Sequence, residues 1–289
     1  MEVVHTIADL QSRIKAYRRR NDQAVGFVPT MGFLHEGHAS LMNKARSQCG
    51  LVVLSIFVNP LQFGPGEDFE RYPRDAERDL AVAEAAGVDL VFMPSVSEMY
   101  PSPTRTTVSV SDVTTRLCGA SRPGHFDGVA TVVSKLFHIV QPDQAFFGLK
   151  DAQQVAVIEQ MVQDLNMPIE IVPCPTLREA DGLAMSSRNV YLSPEERQQA
   201  LVLSQSLQIA KEYIQSKSSQ GFTSTELASL VRAHIETAPL AVVDYAEVLS
   251  YPTLEPFDHS HSISSLIIAL AVKFGKTRLI DNLILQVRK

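Results

Sequence analysis

Short apolar runs alternate with helical patterns through the first 176 residues of this chain. The apolar runs that predict β-strands cover residues 24–28, 51–58, 90–93, 145–147 and 169–172. Amphipathic patterns that predict helices lie near residues 38–48, 74–86, 128–140 and 151–165. Apolar strands separated by helices are typical of a parallel sheet that is covered on both faces. The pattern therefore predicts an α/β fold with a Rossmann-like, doubly wound parallel sheet.

The pattern changes after residue 176. Helical patterns near residues 194–216 and 224–236 precede strand patterns at residues 242–249, 265–272 and 279–287. Helices followed by a run of strands predict a smaller α+β domain with an antiparallel sheet. We therefore expect a Rossmann-like domain over residues 1–176 and a C-terminal α+β domain over residues 177–289.

Charge and apolar patterning disfavour two classes of partner. The 289 residues include 26 basic and 32 acidic side chains, for a net charge of −6, and the only basic cluster, at residues 18–20, ends a predicted helix. Nucleic-acid binding is therefore not expected. The longest apolar stretch, residues 266–272, is far shorter than the roughly 20 residues that span a bilayer. We expect a protein without a membrane partner.

Cysteine usage predicts the compartment. Cys49, Cys118 and Cys174 are far apart and never form a C-x-x-C pair. Together with an N-terminus that lacks a secretory pattern, this indicates a reducing, cytoplasmic environment.

Two histidines, His35 and His38, lie between the first of these predicted strands and the helix that follows it. A helix N-terminus favours anions, and Gly37 lets a ligand approach the backbone. An isolated H-x-x-H often only packs or caps a helix, but this position favours a phosphate site. A zinc protease needs H-E-x-x-H, with the histidines four positions apart instead of three, so that class is disfavoured. A Walker-type glycine-rich loop is absent from the sequence.

Further polar residues follow other predicted strands, at the sheet edge where doubly wound folds bind ligands. Asn59 and Gln62 follow the second strand, where they are either turn residues around Pro60 or donors for a polar substrate. Lys150 and Asp151 follow the fourth strand, as an exposed charge pair or as phosphate ligands.

Three more segments leave alternatives open. Residues 178–189 form a polar segment with two hydroxyls beside an arginine, which predicts a mobile loop that contacts phosphates. Residues 122–126 read as a surface loop or as a lid over a site. Glu77 and Asp79 lie in a charged helical pattern, which either forms a solvated helix face, the more common case, or contributes to a magnesium site. We therefore assign no metal ligands from the sequence.

Six motifs in consistent order resemble the pantothenate synthetase family, also called pantoate–β-alanine ligases. They are VPTMGFLHEGH (28–38), SIFVNPLQF (55–63), YPRD (72–75), RPGHF (122–126), FFGLKDAQQ (146–154) and READGLAMSSRN (178–189). The H-x-G-H element alone indicates only the wider nucleotidylyltransferase superfamily. The other motifs select the family.

The resemblance implies a two-step ligase. ATP and (R)-pantoate give pantoyl adenylate and pyrophosphate, and β-alanine then attacks the adenylate to give pantothenate and AMP. The resemblance also implies Mg²⁺, a cytoplasmic homodimer, binding of nucleotide and pantoate by the first domain, and closure of the second domain over the ATP site.

Site residues follow from the matching motif positions. As catalytic residues the resemblance implies His38, the proton donor, with His35, Lys150 and Arg188. The implied ATP-binding residues are Met31, Gly32, Phe33, Leu34, His35, Glu36, Gly37, His38, Gly148, Leu149, Lys150, Asp151, Leu177, Met185, Ser186, Ser187 and Arg188. Gln62 and Gln154 are implied to hold pantoate, and Asn59 with Gln62 to lie near β-alanine.

The chain departs from the family pattern in places. Leu149 stands where many relatives carry glutamate, Leu177 where valine is common, and Arg78 where some relatives have an acid near the metal. The first two positions are expected to contribute backbone contacts.

Other functions remain open on the residues alone. An adenylyl- or cytidylyltransferase with another substrate shares H-x-G-H. A class I tRNA synthetase also shares it, but the short chain and acidic balance disfavour that class. A non-catalytic nucleotide-binding module is the third alternative.

Overall fold

The computed structural model describes residues 1–217, 221–257 and 265–286. The chain forms two compact units, which are described separately. The first unit comprises Met1–Val110, Arg122–Leu149 and Val157–Pro175, and the second comprises Ser111–Ser121, Lys150–Ala156 and Thr176–Lys289. The domain boundaries expected at residues 176 and 177 stay a prediction.

A six-stranded parallel sheet forms the centre of the first unit. Its strands are β1 (Glu2–Val4), β2 (Val25–Thr30), β3 (Leu51–Ile56), β4 (Leu90–Phe92), β5 (Gln144–Gly148) and β6 (Glu170–Cys174). The order across the sheet is β1-β4-β3-β2-β5-β6, with parallel pairing throughout. The prediction of a parallel sheet is confirmed, with all five predicted strands present. The edge strand β1 was not predicted from the sequence.

Helices cover both faces of this sheet. The helices of the first unit are α1 (Ile7–Arg18), α2 (Glu36–Gln48), α3 (Ala76–Ala85), α4 (Val96–Met99) and α6 (His125–Val140); α5 (Cys118–Ser121) belongs to the second unit, and α7 (Ala152–Asp164) is divided between the two units. On one face, buried Met42 of α2 and Ala83 of α3 pack in a cluster with Val28 of β2. Its neighbour Phe27 points the other way and meets Phe137 of α6 at a ring-centroid distance of 6.4 Å. The doubly wound architecture is therefore confirmed.

The strand order reverses beside β2. The chain continues from β2 to β3 on one side and later returns to pair β5 on the other side. Such a switch point leaves a crevice at the carboxyl ends of the two strands. The residues that follow β2 therefore leave the sheet at the place where a doubly wound fold binds its ligand.

The second unit contains a small antiparallel sheet. Its strands β7 (Ala241–Ser250), β8 (Leu266–Phe274) and β9 (Thr277–Leu285) pair in chain order. The helices α8 (Pro194–Gln199), α9 (Val202–Ser216) and α10 (Ser224–Ile235) precede it. The predicted α+β unit is confirmed; Val287, the predicted end of the last strand, lies outside the described residues.

One predicted helix is wrong in its length. The pattern over residues 194–216 indicated a single helix, whereas α8 ends at Gln199 and α9 begins at Val202. At this break the backbone N–H of Leu201 bonds three residues back, to Gln198. The local sequence contains neither proline nor glycine, so nothing in the pattern marked the break.

Within the described residues, no helix is both long and apolar enough to cross a bilayer. Cys49, Cys118 and Cys174 are buried and carry free thiols.

Candidate active site

The HEGH turn, residues 35–38, opens α2 directly after the loop that leaves β2. His35 is the N-cap of α2, and its Nδ1 accepts a hydrogen bond from the Gly37 N–H at 3.1 Å. His38 Nδ1 accepts one from the His35 N–H at 3.3 Å. The two imidazole centroids are 4.0 Å apart. Both rings therefore lie beside a helix N-terminus, where the partial positive charge favours an anion.

These contacts assign the tautomer of each neutral imidazole. A backbone N–H can only donate, so Nδ1 of His35 and Nδ1 of His38 act as acceptors and carry no proton. The single ring proton is therefore on Nε2 in both residues. Capping and phosphate binding, the two interpretations of this histidine pair, are compatible because they use different nitrogens.

Asp79 holds the loop before the HEGH turn in place. Its carboxylate accepts hydrogen bonds from the N–H groups of Phe33 at 2.9 Å and Leu34 at 2.6 Å. The loop needs such support because Phe33 has a φ of 50° and Gly32 a φ of 82°. A Cβ on Gly32 would lie 2.9 Å from an Asp79 oxygen, so this position requires glycine.

The expectation of a solvated face at Asp79 is wrong, since this residue is 2% exposed; Glu77, on the same helix, is exposed as predicted. Burial raises the pKa of Asp79 above its usual range, although the two backbone donors oppose that shift. Sequence reasoning missed Asp79 because an acidic residue among other charges gives no sign of burial. Asp79 also lies 45 residues after Leu34 in the chain, so nothing local in the sequence indicates this contact.

Asn59 and Gln62 form a second cluster in the same unit. Asn59 precedes, and Gln62 ends, a short 3₁₀ turn, Pro60–Gln62, that follows β3. The Asn59 amide donates to Gln62 Oε1 at 3.2 Å, and Gln62 Nε2 lies 3.1 Å from the Met31 sulfur. Gln62 therefore reaches the loop that precedes the HEGH turn.

Asn59 itself is fully hydrogen-bonded and 1% exposed. Its Nδ2 also donates to the Gly128 carbonyl, and its Oδ1 accepts from Leu61 N–H and from the Tyr100 hydroxyl. These four bonds use the whole capacity of the amide. Burial raises the pKa of the Tyr100 hydroxyl to about 12, so this group stays protonated and donates to Asn59.

The RPGHF motif combines an exposed turn at residues 123–124 with two side chains that contact the Asn59–Gln62 cluster, and its role as a lid stays a prediction. His125 begins α6, three residues earlier than predicted, and Gly124 precedes it with a φ of 78°. Arg122 and His125 both contact the backbone carbonyl of Gln62. The motif thus belongs to the surroundings of the Asn59–Gln62 cluster.

In the second unit, the residues after β5 divide into ligand candidates and structural residues. Lys150 lies in a 3₁₀ turn, and its ammonium is 3.8 Å from the Asp151 carboxylate. The Asn282 side-chain amide donates a hydrogen bond to the Lys150 backbone carbonyl. Gln153 is buried, and its amide makes hydrogen bonds to the backbone of residues 113, 116 and 118. Gln154, the predicted pantoate ligand, is half-buried.

Ion pairs anchor the polar segment over residues 178–189. Arg178 makes two hydrogen bonds to buried Asp281 at 2.6 and 2.9 Å. Glu179 binds Arg197 at 2.6 Å and also accepts from the Asn189 amide at 2.8 Å. Both ends of the segment are thus fixed; its predicted mobility stays a prediction.

The central part of this segment carries the predicted phosphate ligands. Ser186 Oγ accepts from the Arg188 N–H at 3.2 Å and begins the 3₁₀ turn Ser187–Tyr191. Ser187 is 8% exposed. The Met185 N–H donates a hydrogen bond to the carbonyl of Leu177. Both residues are among the predicted ATP-binding residues.

Comparison with known proteins decides between the functions that share H-x-G-H. A family model described as pantoate-beta-alanine ligase matches residues 2–284. The chain belongs to the pantoate–β-alanine ligase family. A pantothenate synthetase from Geobacillus thermodenitrificans is 54% identical to it over 290 residues, covering 100% of this chain and 98% of the relative.

Solved structures of this family agree with that membership. The pantothenate synthetase from Thermus thermophilus has a TM-score of 0.90 and 47% identity, with 100% of both chains covered. The pantoate-beta-alanine ligase from Francisella tularensis, complexed with beta-gamma ATP and beta-alanine, has a TM-score of 0.77 and 33% identity, with 98% of this chain and 97% of that chain covered. The sequence-based prediction of an ATP-dependent ligase that joins pantoate to β-alanine is confirmed.

Proposed function

We propose that the HEGH turn is the centre at which this ligase transfers adenylate to pantoate. The observation that carries the proposal is the pair of imidazoles at the start of α2, each with its proton on Nε2. A pantoate carboxylate oxygen attacks the α-phosphorus of ATP, and the bond to pyrophosphate breaks with its electron pair leaving on pyrophosphate. The carboxylate is ionised near neutral pH, so the step needs no strong base.

The remaining task in this step is to stabilise charge. Negative charge builds on the phosphoryl oxygens in the transition state, and fixed N–H donors stabilise it most where they need no reorganisation. We assign this role to His38, the proton donor, and to its companion His35. Lys150 and Arg188 supply positive charge to the triphosphate, for which the arginine fork is well shaped.

Pantoate is bound by neutral side chains. Gln62 and Gln154 donate hydrogen bonds to its carboxylate and hydroxyls without adding a positive charge that would weaken the nucleophile. In the second step the β-alanine amine attacks the acyl carbon near Asn59 and Gln62, the carbon–oxygen bond to AMP breaks, and the amine gives up a proton.

The other predicted ATP-binding residues contribute contacts to ATP and are not assigned separate chemical roles. We propose backbone and side-chain contacts to ATP from Met31, Gly32, Phe33, Leu34, Glu36, Gly37, Gly148, Leu149, Asp151, Leu177, Met185, Ser186 and Ser187. Among these, Gly37 has no Cβ that would obstruct the approach of a phosphate to the backbone.

Mg²⁺ is proposed as the partner of the ATP phosphates. Within the described residues, no cluster of three or more His, Cys, Asp or Glu side chains suits a metal ion. Mg²⁺ typically binds through substrate phosphates and one or two carboxylates, and bound in this way it neutralises phosphate charge. Asp79 already accepts two backbone hydrogen bonds, and no residue is assigned as a metal ligand.

We also propose a cytoplasmic homodimer. The three buried, free thiols are consistent with a reducing compartment. The dimer rests on the family resemblance, and light scattering of the purified protein tests it.

Product analysis tests the proposed reaction. Incubation with ATP, Mg²⁺, pantoate and β-alanine should yield AMP, pyrophosphate and pantothenate in equal amounts. Formation of ADP and phosphate instead would contradict adenylyl transfer. AMP formation that continues without pantoate would point to a different transferase.

A further inference from the structure

The turn that carries Gln62 is held from outside its own strand. Two side chains donate to the Gln62 backbone carbonyl: His125 Nδ1 at 2.8 Å and Arg122 Nη2 at 3.3 Å. Both belong to the RPGHF motif, and neither has a role in the proposed chemistry. The position of Gln62 therefore depends on residues that lie 60 and 63 positions further along the chain.

The contact with Arg122 fixes the state of the His125 ring. Arg122 Nη1 lies 2.9 Å from His125 Nε2, and a guanidinium can only donate. Nε2 must therefore accept, which leaves the proton of the neutral ring on Nδ1. That proton is the one donated to the Gln62 carbonyl.

Glu67 in turn holds the arginine. Its carboxylate accepts from Arg122 Nε at 2.7 Å and from Nη2 at 2.6 Å, in a two-point contact. The Arg122 and Glu67 side chains are only 18% and 26% exposed. Such bidentate pairs fix direction as well as distance, so the arginine is aimed at both His125 and Gln62.

The first turn of α6 also contacts the turn residues through its backbone. A Cβ on Gly128 would collide with the carbonyl of Leu61 and the Cα of Gln62, so glycine is required for this approach. The Gly128 carbonyl accepts from Asn59 Nδ2 at 3.2 Å, and the same Nδ2 donates to Gln62 Oε1. Both the backbone and the side-chain amide of Gln62 are thus positioned from α6.

We propose that Arg122 and His125 are positioning residues that set the Gln62 amide for pantoate, with Glu67 holding Arg122. The inference rests on the proposed role of Gln62 as a pantoate ligand. A ligand misplaced by about 1 Å can cost on the order of a hundredfold in rate, so loss of this support affects catalysis without removing any group that touches substrate.

Kinetics of His125 variants test the inference. For His125→Ala we expect the pantoate KM to rise by about tenfold or more, within the range that misplacement produces, while the ATP KM stays unchanged. His125→Asn should restore the pantoate KM to within about threefold of the parent, because its Nδ2–H can replace the Nδ1–H donor. His138→Ala is the matched control: His138 lies on the same helix and donates Nδ1–H to the Ser134 carbonyl, away from Gln62.

Two further variants keep the outcomes distinct. Arg122→Lys retains a charge for Glu67 but loses the fork, so it should also raise the pantoate KM, and it serves if His125→Ala fails to fold. Gln62→Ala tests the proposed function itself. If Gln62→Ala raises the pantoate KM while His125→Ala and Arg122→Lys leave it unchanged, the positioning role is overturned; if Gln62→Ala has no effect, the proposed pantoate site fails.

Discussion

At the scale of single residues, the two histidines of the HEGH turn combine a structural and a chemical role. Each uses Nδ1 to accept a backbone hydrogen bond and carries its proton on Nε2. The Nδ1 acceptor stabilises the start of the helix, and the Nε2 donor is directed to the ligand in the proposed function. Substitutions that keep an acceptor at the place of Nδ1 and remove the donor at Nε2 can separate these roles.

His38 offers that separation. His38→Asn keeps an acceptor for the His35 N–H but has no group at the place of Nε2. We expect both His38→Asn and His38→Ala to reduce the rate of adenylation by about a hundredfold or more, the effect of losing one transition-state donor. Single-turnover measurement of pyrophosphate release is the readout, with circular dichroism as the check on folding. Near-normal release by His38→Asn would rule out donation from Nε2.

Adjacent glutamines on α7 should behave differently. Gln153→Ala removes a buried amide with three backbone partners, so we expect a lower melting temperature. Gln154→Ala should leave the melting temperature nearly unchanged and weaken pantoate binding by about 1–2 kcal/mol, the loss of one or two hydrogen bonds. Calorimetric titration with pantoate compares the two. An unchanged pantoate Kd in Gln154→Ala would remove it from the site.

At this scale the sequence identified residue types and missed how they are held. His35, His38, Gln62 and Lys150 stood out because polar residues at strand ends are informative. The burial of Asp79 was not predictable, since its two partners are backbone N–H groups that almost every residue offers. Contacts of that kind leave no trace in residue identity.

At the scale of elements, α3 and α6 each support a loop of the first unit. Asp79 on α3 holds the loop over residues 33–34, and the first turn of α6 holds the turn Pro60–Gln62. The helix pattern predicted both helices but not these supports, because periodicity reports which face is apolar and gives no partner for a polar side chain.

Removal of one Asp79 acceptor should disturb the ATP loop. Asp79→Asn can accept only one of the two backbone bonds, which leaves a buried N–H unpaired at a cost of about 1–3 kcal/mol. We expect a raised ATP KM and a lower melting temperature. Glu77→Gln, on the exposed face of the same helix, is the control and should change neither. An Asp79→Asn enzyme with the parent ATP KM would show that this loop does not depend on the carboxylate.

The Glu67–Arg122 pair should give a pH-dependent contribution to stability. Arg122 lowers the pKa of Glu67 to about 2 from an ordinary value of about 4.5. A depressed carboxyl pKa stabilises the folded state above the unfolded pKa, and the contribution is lost as the pH falls from about 4.5 toward about 2.

The comparison of the parent with Glu67→Gln measures this contribution. Near neutral pH we expect the parent to be more stable by about 1.5–3 kcal/mol, as for hydrogen bonds between charged groups. The difference should shrink as acid protonates Glu67. Urea unfolding at several pH values provides the free energies. A difference that stays constant down to about pH 3 would contradict a depressed Glu67 pKa.

At the scale of the whole molecule, the sequence predicted the architecture well. The five apolar runs became strands β2 to β6, and the change of pattern near residue 176 marked the α+β region. The failures were local: the edge strand β1, the short helices α4 and α5, a helix break without proline or glycine, and the start of α6. Long periodic segments can be predicted because their buried positions are apolar, which the sequence shows directly. Short elements are fixed mainly by tertiary contacts, which the sequence does not show.

The central claim is that this ligase activates pantoate by transferring adenylate to its carboxylate. Pantoate labelled with ¹⁸O in the carboxylate tests it most directly, since one carboxylate oxygen becomes the bridge to phosphorus and leaves with AMP when β-alanine attacks. Mass spectrometry should find one labelled oxygen in AMP and one in pantothenate. Unlabelled AMP from fully labelled pantoate would contradict the adenylate and with it the role assigned to the HEGH turn.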